Sequence, residues 1–349
     1  MRAYSCFLLL LISPLHTFAQ NVKGLKGFYA SYFPIGVAVS PRLLLDGPES
    51  DLIRQHFNSV TAENVMKMGP IHPQLNVFNW EPADKIVEFA ERNGVKMRGH
   101  NLCWHQQTPA WFFKDDDGKT IGKQELLKRL RDHIFAVAGR YKGKVYAWDV
   151  VNEAISDRDG ELFRDSGFYK ICGEEFISKA FEYAHEADPD AKLFYNDYNT
   201  ENPKKREKIY QLLKKLLDAK VPVHGIGLQA HWSLNNPERA ELEKTINRFA
   251  SLGLKIQITE LDISVYSGKT DPGIPALTDD LEQKQADQYK MVFEIFRKYK
   301  DVITGVTFWN LSDRSSWLDN FPVRGRKNYP LIFDQNLTPK KAYWQVIKF

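Results

Sequence analysis

Eight short apolar runs, separated by longer amphipathic segments, constrain the fold more than any other feature of this chain. The runs are rich in β-branched and aromatic residues, and they are apolar nearly throughout rather than alternating with polar residues. This pattern is typical of parallel strands that are covered on both faces. Eight strand–helix units predict an α/β protein, a (β/α)8 TIM barrel, with a single domain over residues 20–349. The predicted strands are Pro34–Val39, Ser59–Ala62, Lys96–Trp104, Val145–Val151, Lys192–Tyr195, Gly225–Gln229, Lys255–Leu261 and Ile303–Trp309.

The segments between these runs have apolar residues three or four positions apart, which is the spacing of amphipathic helices. Gly94, Gly143 and Gly253 follow three of the segments, where glycine favours a left-handed C-terminal cap. Helices are predicted for Ala83–Asn93, Lys123–Tyr141, Glu207–Ala219, Glu238–Leu252 and Thr278–Tyr299.

The first nineteen residues differ in character from the rest of the chain. Arg2 is their only charge, Phe7–Ile12 is an apolar run, and Pro14 interrupts it before a small-residue cleavage site at Thr17–Ala19. The apolar run is too short for a membrane span, so residues 1–19 are predicted to be a secretory signal peptide. The alternative is an uncleaved anchor. Cleavage would place the protein in the periplasm or outside the cell.

Cleavage would remove Cys6 and leave Cys103 and Cys172. Two cysteines do not make a disulfide scaffold. Cys103 lies in an apolar strand and Cys172 in a helical segment, so both are predicted to be buried free thiols.

Charge does not indicate a nucleic-acid partner. The chain of 349 residues carries a net charge of +4, and its acidic and basic residues are interspersed along the sequence. No basic stripe for nucleic acid or for a membrane surface stands out. We expect a monomer that does not bind a membrane once the signal peptide is removed.

Polar residues collect at the ends of the predicted strands. In a barrel of parallel strands, the carboxyl ends of the strands form the face that carries chemistry. The long non-helical stretch Leu311–Thr338 follows the last strand and is predicted to be an active-site loop. The strand-end residues are Glu63, Asn64, Lys67, His100, Asn101, Trp104, His105, Asn152, Glu153, Asn196, Asp197, Gln229, His231, Glu260, Asp262 and Trp309.

Two of these residues, Glu153 and Glu260, lie at the ends of the fourth and seventh strands, which are on roughly opposite sides of the ring. Their carboxyl groups are therefore expected to face each other across the barrel mouth. One protonated and one ionised carboxyl group are the minimum equipment for cleaving a glycosidic bond.

Seven stretches, in order and at strand ends, resemble the family-10 glycoside hydrolases, which are retaining endo-β-1,4-xylanases. The resemblance covers nearly the whole chain after the signal peptide. The matching stretches are Thr61–Lys67, Gly99–His105, Trp148–Glu153, Tyr195–Asn199, Gly227–Trp232, Ile258–Asp262 and Phe308–Trp317.

The resemblance implies that Glu153 is the acid/base and Glu260 the nucleophile. It also implies that His231 bridges Glu260 and Asp262, which would support the charge of the nucleophile. A less polar setting beside Trp104 would favour the protonated form of Glu153.

The remaining family positions imply sugar contacts. Asn152 would bind the 2-hydroxyl of the sugar at the cleavage point, and three tryptophans would offer flat faces to sugar rings. We expect Trp80, Trp111 and Trp344 to serve packing instead. Asn310 stands where many relatives have glycine. The implied hydroxyl-binding residues are Glu63, Asn64, Lys67, His100 and Gln229, and the implied stacking residues are Trp104, Trp309 and Trp317.

The expected partners are xylan and xylo-oligosaccharides, without cofactor or metal. A retaining β-1,4-glucanase or cellulase on the same barrel is the main alternative, and space for a C6 hydroxymethyl group separates the two. A zinc hydrolase built on His100, His105 and His231 lacks the usual ligand spacing. A sugar-binding protein without catalysis is disfavoured, because both glutamates are present.

Overall fold

The computed structural model describes residues 23–349, which form a closed barrel of parallel strands surrounded by helices. The strands are β1 (Ile35–Val39), β2 (Ser59–Ala62), β3 (Lys96–Trp104), β4 (Val145–Asn152), β5 (Lys192–Asp197), β6 (Gly225–Leu228), β7 (His231–Ser233), β8 (Lys255–Ser264) and β9 (Ile303–Phe308). Strands β1 to β6 follow chain order around the ring, β6 pairs with β8, and β9 closes the ring onto β1. The predicted (β/α)8 barrel is confirmed.

One short strand in the structure was not predicted. The sequence predicts a single strand at Gly225–Gln229, but β6 ends one residue earlier and the chain turns at Ala230, whose φ is +64°. A left-handed residue cannot continue a β ladder, so the turn starts a new short strand. This strand, β7, pairs outside the ring with the end of β8, and His231 lies opposite Asp262.

Helices cover the outside of the barrel. The five predicted helices are present, each with ends within a few residues of the prediction, as Glu81–Arg92, Lys123–Arg140, Pro203–Asp218, Arg239–Ala250 and Asp279–Lys298. Gly94, Gly143 and Gly253 have φ of +61°, +75° and +76°, as their predicted capping role requires. The helices are α1 (Leu25–Phe28), α2 (Pro48–His56), α3 (Met68–Ile71), α4 (Glu81–Arg92), α5 (Lys123–Arg140), α6 (Gly167–Cys172), α7 (Glu175–Ala187), α8 (Pro203–Asp218), α9 (Arg239–Ala250), α10 (Asp279–Lys298) and α11 (Lys341–Val346).

The barrel interior contains an ion pair as well as apolar side chains. Arg98 on β3 and Asp149 on β4 are both buried, and the guanidinium donates to both carboxylate oxygens. Arg98 Nε also donates to Gln257 Oε1 at 2.7 Å, so the charge is bound on two sides. On the same two strands, Trp148 packs against Gly99, where a Cβ atom would lie 2.1 Å from the ring. Only glycine fits there.

Cys103 and Cys172 are free and buried, as predicted. Burial raises the pKa of both thiols, that of Cys172 to about 11. Neither is a reactive thiolate at neutral pH.

The long stretch after β9 is ordered by a buried charge. Asp313 Oδ2 accepts from Lys340 Nζ at 2.8 Å, and its Oδ1 accepts from the backbone of Leu331 at 2.8 Å. The stretch includes two short 3₁₀ turns, at Asp313–Ser315 and Trp317–Asp319. The packing role predicted for Trp344 is wrong, because this side chain points outward from α11 and is 58% exposed.

The predicted signal peptide and Cys6 lie outside the described residues. Within residues 23–349, no helix combines the length and the apolar character needed to cross a bilayer.

Candidate active site

The two glutamates lie at the carboxyl end of the barrel, where their charges are removed from solvent. Glu153 follows β4 directly and is 7% exposed, and Glu260 lies within β8 and is 5% exposed. Since the two residues are of one type and almost equally buried, any difference in their protonation must come from their neighbours.

Cationic and donor groups surround Glu260. Its Oε1 accepts from Asn196 Nδ2 at 2.7 Å, and its Oε2 lies 3.1 Å from His231 Nε2. Burial alone would raise the pKa of this carboxyl, but His100, His231 and Lys67 together lower it to about 2. Glu260 is therefore ionised at neutral pH.

His231 lies between two carboxylates. Its Nδ1 is 3.0 Å from Asp262 Oδ2, on the side opposite Glu260. Burial favours a neutral imidazole, but the charges of Asp262 and Glu260 outweigh it and raise the pKa of His231 to about 10. Trp317 Nε1 donates to the same Asp262 oxygen at 2.8 Å. The bridge thus carries a positive charge next to Glu260 and connects it to the loop after β9.

Glu153 has the opposite environment. Its Oε2 accepts from Trp104 Nε1 and its Oε1 from Gln229 Nε2, each at 2.9 Å. Burial raises the pKa of this carboxyl, and the nearby charges of Asp197 and Glu260 raise it further against these two hydrogen bonds. Glu153 therefore holds its proton to higher pH than an exposed glutamate.

Three carboxamides connect the two glutamates. Asn196 Nδ2, which binds Glu260, also lies 2.9 Å from Asn152 Oδ1. Gln229 Nε2, which binds Glu153, lies 3.2 Å from the same Asn152 atom. The amides set the relative positions of the two carboxyl groups through neutral hydrogen bonds.

The other predicted sugar-binding residues border this centre. Lys67 Nζ donates to Asn64 Oδ1 at 2.9 Å and lies over the rings of Trp104 and Trp309, 5.1 and 5.9 Å from their centroids. Burial lowers the pKa of this ammonium group, against the attraction of Glu260, Glu63 and Glu153. Lys67 is thus packed between two predicted stacking residues, next to the ionised carboxylate.

A hydrogen bond and a ring contact fix the position of His100. Its Nδ1 lies 2.8 Å from Asp149 Oδ2 and its ring packs edge-on against Trp309, with centroids 5.2 Å apart. Glu63 is half-buried and Asn64 exposed, so this side of the mouth is open.

Comparison with known proteins identifies the group to which this architecture belongs. The sequence profile of glycosyl hydrolase family 10 matches residues 24–349. The chain belongs to this family.

Relatives with known structures or names are similar over their full length. The chain is 52% identical to a β-1,4-xylanase of Dictyoglomus thermophilum over 331 residues, which covers 95% of this chain and 92% of the relative. The crystal structure of a xylanase from Paenibacillus barcinonensis, complexed with a conduramine derivative, has a TM-score of 0.92 at 47% identity and covers 94% of this chain and 99% of that one. Another solved structure, of a mutant in complex with xylotriose, has a TM-score of 0.91 at 45% identity and covers 93% of this chain and 99% of that one.

The acidic cluster in this family-10 site does not fit a metal ion. His100, Asp149 and Glu260 offer ligand atoms within 4.8 Å of one another. Both Asp149 oxygens, however, already accept hydrogen bonds from Arg98. A zinc site at His100, His105 and His231 does not fit either, because both ring nitrogens of His231 face carboxylates.

Sequence reasoning missed several residues that support this family-10 site. Asn196 was recognised only as a polar strand end, although its amide binds Glu260 and its Oδ1 accepts from Thr259 at 2.7 Å. Sequence reasoning also missed Arg98 and Asp149, although each is a charge inside a strand predicted to be covered on both faces. That contrast was the available signal, because a charge in a covered strand needs a partner.

Proposed function

We propose that this protein hydrolyses internal β-1,4 bonds of xylan with retention of configuration, with Glu153 as acid/base and Glu260 as nucleophile. The observation that carries the proposal is the contrast between two buried carboxyl groups at one barrel mouth: Glu260 contacts His231 and Asn196, and its pKa is lowered, whereas Glu153 contacts only neutral donors, and its pKa is raised. Retention requires one carboxylate to attack and one carboxylic acid to donate a proton. The names of the family-10 relatives supply the substrate class.

In the first step, Glu260 attacks the anomeric carbon while Glu153 gives its proton to the glycosidic oxygen. The bond between that carbon and oxygen breaks, the electron pair goes to the oxygen, and the leaving sugar departs as an alcohol. A covalent ester joins Glu260 to the remaining chain. The imidazolium of His231 keeps Glu260 ionised until the attack.

In the second step, the charge on the nucleophile has gone. Glu153 is then a carboxylate without a negative neighbour at Glu260, and it can accept a proton from water. The hydroxide attacks the anomeric carbon from the face that the first sugar left. Glu260 is released as a carboxylate and Glu153 regains its proton, which closes the cycle.

The flanking residues bind the chain of sugars. Asn152 is assigned to the 2-hydroxyl at the cleavage point, where the hydrogen bond strengthens in the transition state. Lys67 and His100 are assigned to hydroxyl groups on the non-reducing side, together with Glu63, Asn64 and Gln229. Trp104, Trp309 and Trp317 are assigned to the faces of sugar rings, which aromatic side chains bind well.

A β-1,4-glucanase is the second candidate, because both glutamates would serve it equally. The resemblance to family 10 assigns Glu63, Lys67, Trp309 and Trp317 to a floor and roof for pentose units, and the relatives named xylanases support xylan as the substrate. A comparison of initial rates on xylan and on mixed-linkage β-glucan separates the two.

We also propose that the protein is exported as a monomer. Residues 1–19 carry the signal-peptide pattern, which supports a mature protein that begins near Gln20 in the periplasm or outside the cell. Mass spectrometry of the exported protein tests the cleavage site.

Glu260→Ala tests the nucleophile. Without the attacking carboxylate, turnover on xylan should fall by about 10⁴-fold or more, because the covalent path is lost. Azide or formate should restore turnover on an activated aryl xylobioside and give a product of inverted configuration, which NMR detects. Wild-type rates in this variant would refute the assignment.

A further inference from the structure

The backbone at Glu153 has a conformation that side chains seldom adopt. Its φ is +58°, in the left-handed region that favours glycine. A residue other than glycine stays there only when its surroundings leave no alternative. Because the next residues, Ala154 and Ile155, begin the loop after β4, the direction of the Glu153 carboxyl depends on what binds this short segment.

Arg164 binds three consecutive carbonyls of the segment. Its Nε donates to Glu153 O at 2.9 Å, its backbone N donates to Ala154 O at 2.8 Å, and its Nη2 donates to Ile155 O at 3.3 Å. The planar guanidinium cannot tilt without losing at least one of these contacts. Arg164 therefore fixes the segment from the loop side.

Further hydrogen bonds hold the Arg164 guanidinium in place. Its Nη2 donates to Tyr198 OH at 2.7 Å and to Asp157 Oδ2 at 3.0 Å. Asp157 Oδ1 accepts in turn from Lys205 Nζ at 2.8 Å. The clamp thus belongs to a network that reaches α8 and does not depend on one exposed ion pair.

Tyr195 binds the same segment from the barrel side. Its OH accepts from Ile155 N at 3.1 Å and donates to Asp197 Oδ2 at 2.5 Å, and both side chains are fully buried. Asp197 Oδ1 pairs with Lys205 Nζ at 2.8 Å. On the same side, Glu153 N donates to Asn196 O at 2.9 Å.

We propose that Arg164 and Tyr195 are positioning residues for the acid/base. From two sides they hold the segment Glu153–Ile155 so that Glu153 keeps its left-handed backbone conformation, and so they aim the Glu153 carboxyl at the glycosidic oxygen. The inference rests on the proposed role of Glu153 as acid/base. Both residues act through Glu153, since their hydrogen bonds go to its backbone segment and not to its carboxyl group.

Misplacing the acid has a specific kinetic signature. Proton transfer from Glu153 matters when the leaving group is a poor one, such as phenol or a sugar, and little when it is 2,4-dinitrophenol. A general loss of stability or of sugar binding would affect both kinds of substrate alike.

The test compares kcat/KM for phenyl and 2,4-dinitrophenyl β-xylobiosides in Arg164→Gln and Tyr195→Phe. We expect kcat/KM for the phenyl substrate to fall by about tenfold or more in both variants. A small displacement of a general acid removes much of its contribution to the rate. For the dinitrophenyl substrate, kcat/KM should stay within about threefold of the wild-type value.

Matched controls come from the same chain. Tyr289→Phe removes another buried hydroxyl, which donates to Pro330 O at 2.6 Å, and Arg206→Gln removes a guanidinium bound to Glu241 and Thr245. Both controls should leave the ratio of the two rates unchanged. If Arg164→Gln does not fold, Tyr195→Phe carries the test alone, because it deletes a single oxygen atom.

Glu153→Ala belongs in the same experiment and separates two kinds of failure. If Glu153→Ala lowers kcat/KM equally for the phenyl and the dinitrophenyl substrate, the assignment of the acid/base is wrong. If Glu153→Ala discriminates between them and the Arg164 and Tyr195 variants do not, the acid/base assignment stands and the positioning role is refuted.

Discussion

Two glutamates of almost equal burial have pKa values shifted in opposite directions because different side chains touch them. Glu260 has an imidazolium 3.1 Å away and an amide donor at 2.7 Å, whereas Glu153 has two neutral donors and the buried carboxylate of Asp197 nearby. Desolvation penalises the charged form of both groups, so the neighbouring charges decide. The environments of the two carboxyl groups therefore already differ, without substrate, in the sense that the proposed roles require.

The charge of His231 can be tested by its effect on the nucleophile. Activity needs ionised Glu260, whose pKa is lowered to about 2, so its protonation sets an acid limb of kcat/KM at very low pH. His231→Gln removes a positive charge from this carboxylate, and the acid limb should move upward by about one pH unit or more.

The measurement is the pH dependence of kcat/KM on an aryl xylobioside, with His224→Gln as the control. His224 Nδ1 accepts from Leu193 N at 3.0 Å, at the opposite end of the barrel from the two glutamates. An acid limb that shifts equally in both variants, or in neither, would contradict the role of the imidazolium.

At the scale of elements, the far end of β8 and the loop after β9 complete the site. β8 has ten residues, and its last part pairs with β7 rather than with the ring. This pairing places His231 against Asp262, and Trp317 reaches the same carboxylate from the loop. The site is therefore sensitive to the conformation of a loop that contributes neither glutamate.

The substitution Asn310→Gly tests whether the site depends on the conformation of the loop after β9. Its φ is +96°, where glycine is favoured, yet its side chain does what glycine cannot, because Oδ1 accepts from the backbone of Trp317 at 3.2 Å. Asn310→Gly should relieve the backbone and loosen the loop. We expect KM for xylan to rise by about fivefold with little change in kcat, as for the loss of one hydrogen bond that positions a binding residue.

Lys220→Gly is the control for Asn310→Gly. Lys220 also has a positive φ, of +61°, but it follows α8 at the other end of the barrel. The variant Lys220→Gly should leave KM for xylan unchanged. A decrease of KM in Asn310→Gly would show that relief of backbone strain outweighs the lost anchor.

At the scale of the whole molecule, buried histidines make the folded state sensitive to acid. His72 and His133 are buried with their Nδ1 atoms 3.1 Å apart, and burial lowers their pKa values to about 4 and about 3. Burial also lowers the pKa of His56 to about 4. These values lie below the ordinary histidine pKa of about 6.5, so the unfolded chain binds protons that the folded chain does not.

Stability should therefore fall as pH decreases from about 6.5 toward 4, and His133 allows a test. The sign follows from linkage, because protons bound preferentially by the unfolded state stabilise it. His133→Asn keeps a polar side chain without a titrating group, and it should reduce the loss of unfolding free energy between pH 7 and pH 5 by about 2 kcal/mol. Urea denaturation at the two pH values measures this difference.

His185→Asn is the control for the acid experiment, since His185 is exposed on α7. It should leave the pH dependence of the unfolding free energy as in wild type. An equal change in both variants would show that the His72–His133 pair is not a source of acid sensitivity.

Part of the site was open to prediction because it depends on local pattern. The placement of Glu153 and Glu260 toward the carboxyl ends of their strands follows from counting apolar runs, since parallel barrel strands all end on one face. The β6–β7 break was not predictable from the same pattern. It depends on the left-handed backbone of Ala230, and alanine gives no local signal for that conformation.

The sequence by itself determined the eight strand–helix units, the face that carries the polar residues and the resemblance to family 10. Burial pattern and helical period are properties of neighbouring residues, so they can be read along the chain. Only the tertiary structure decided which contacts shift the pKa values of the two carboxyl groups in opposite directions and what holds the backbone of Glu153 in its left-handed conformation. Those properties depend on charges and donors from β3, β5, β6 and distant loops, and closure of the barrel is what brings them within hydrogen-bond distance.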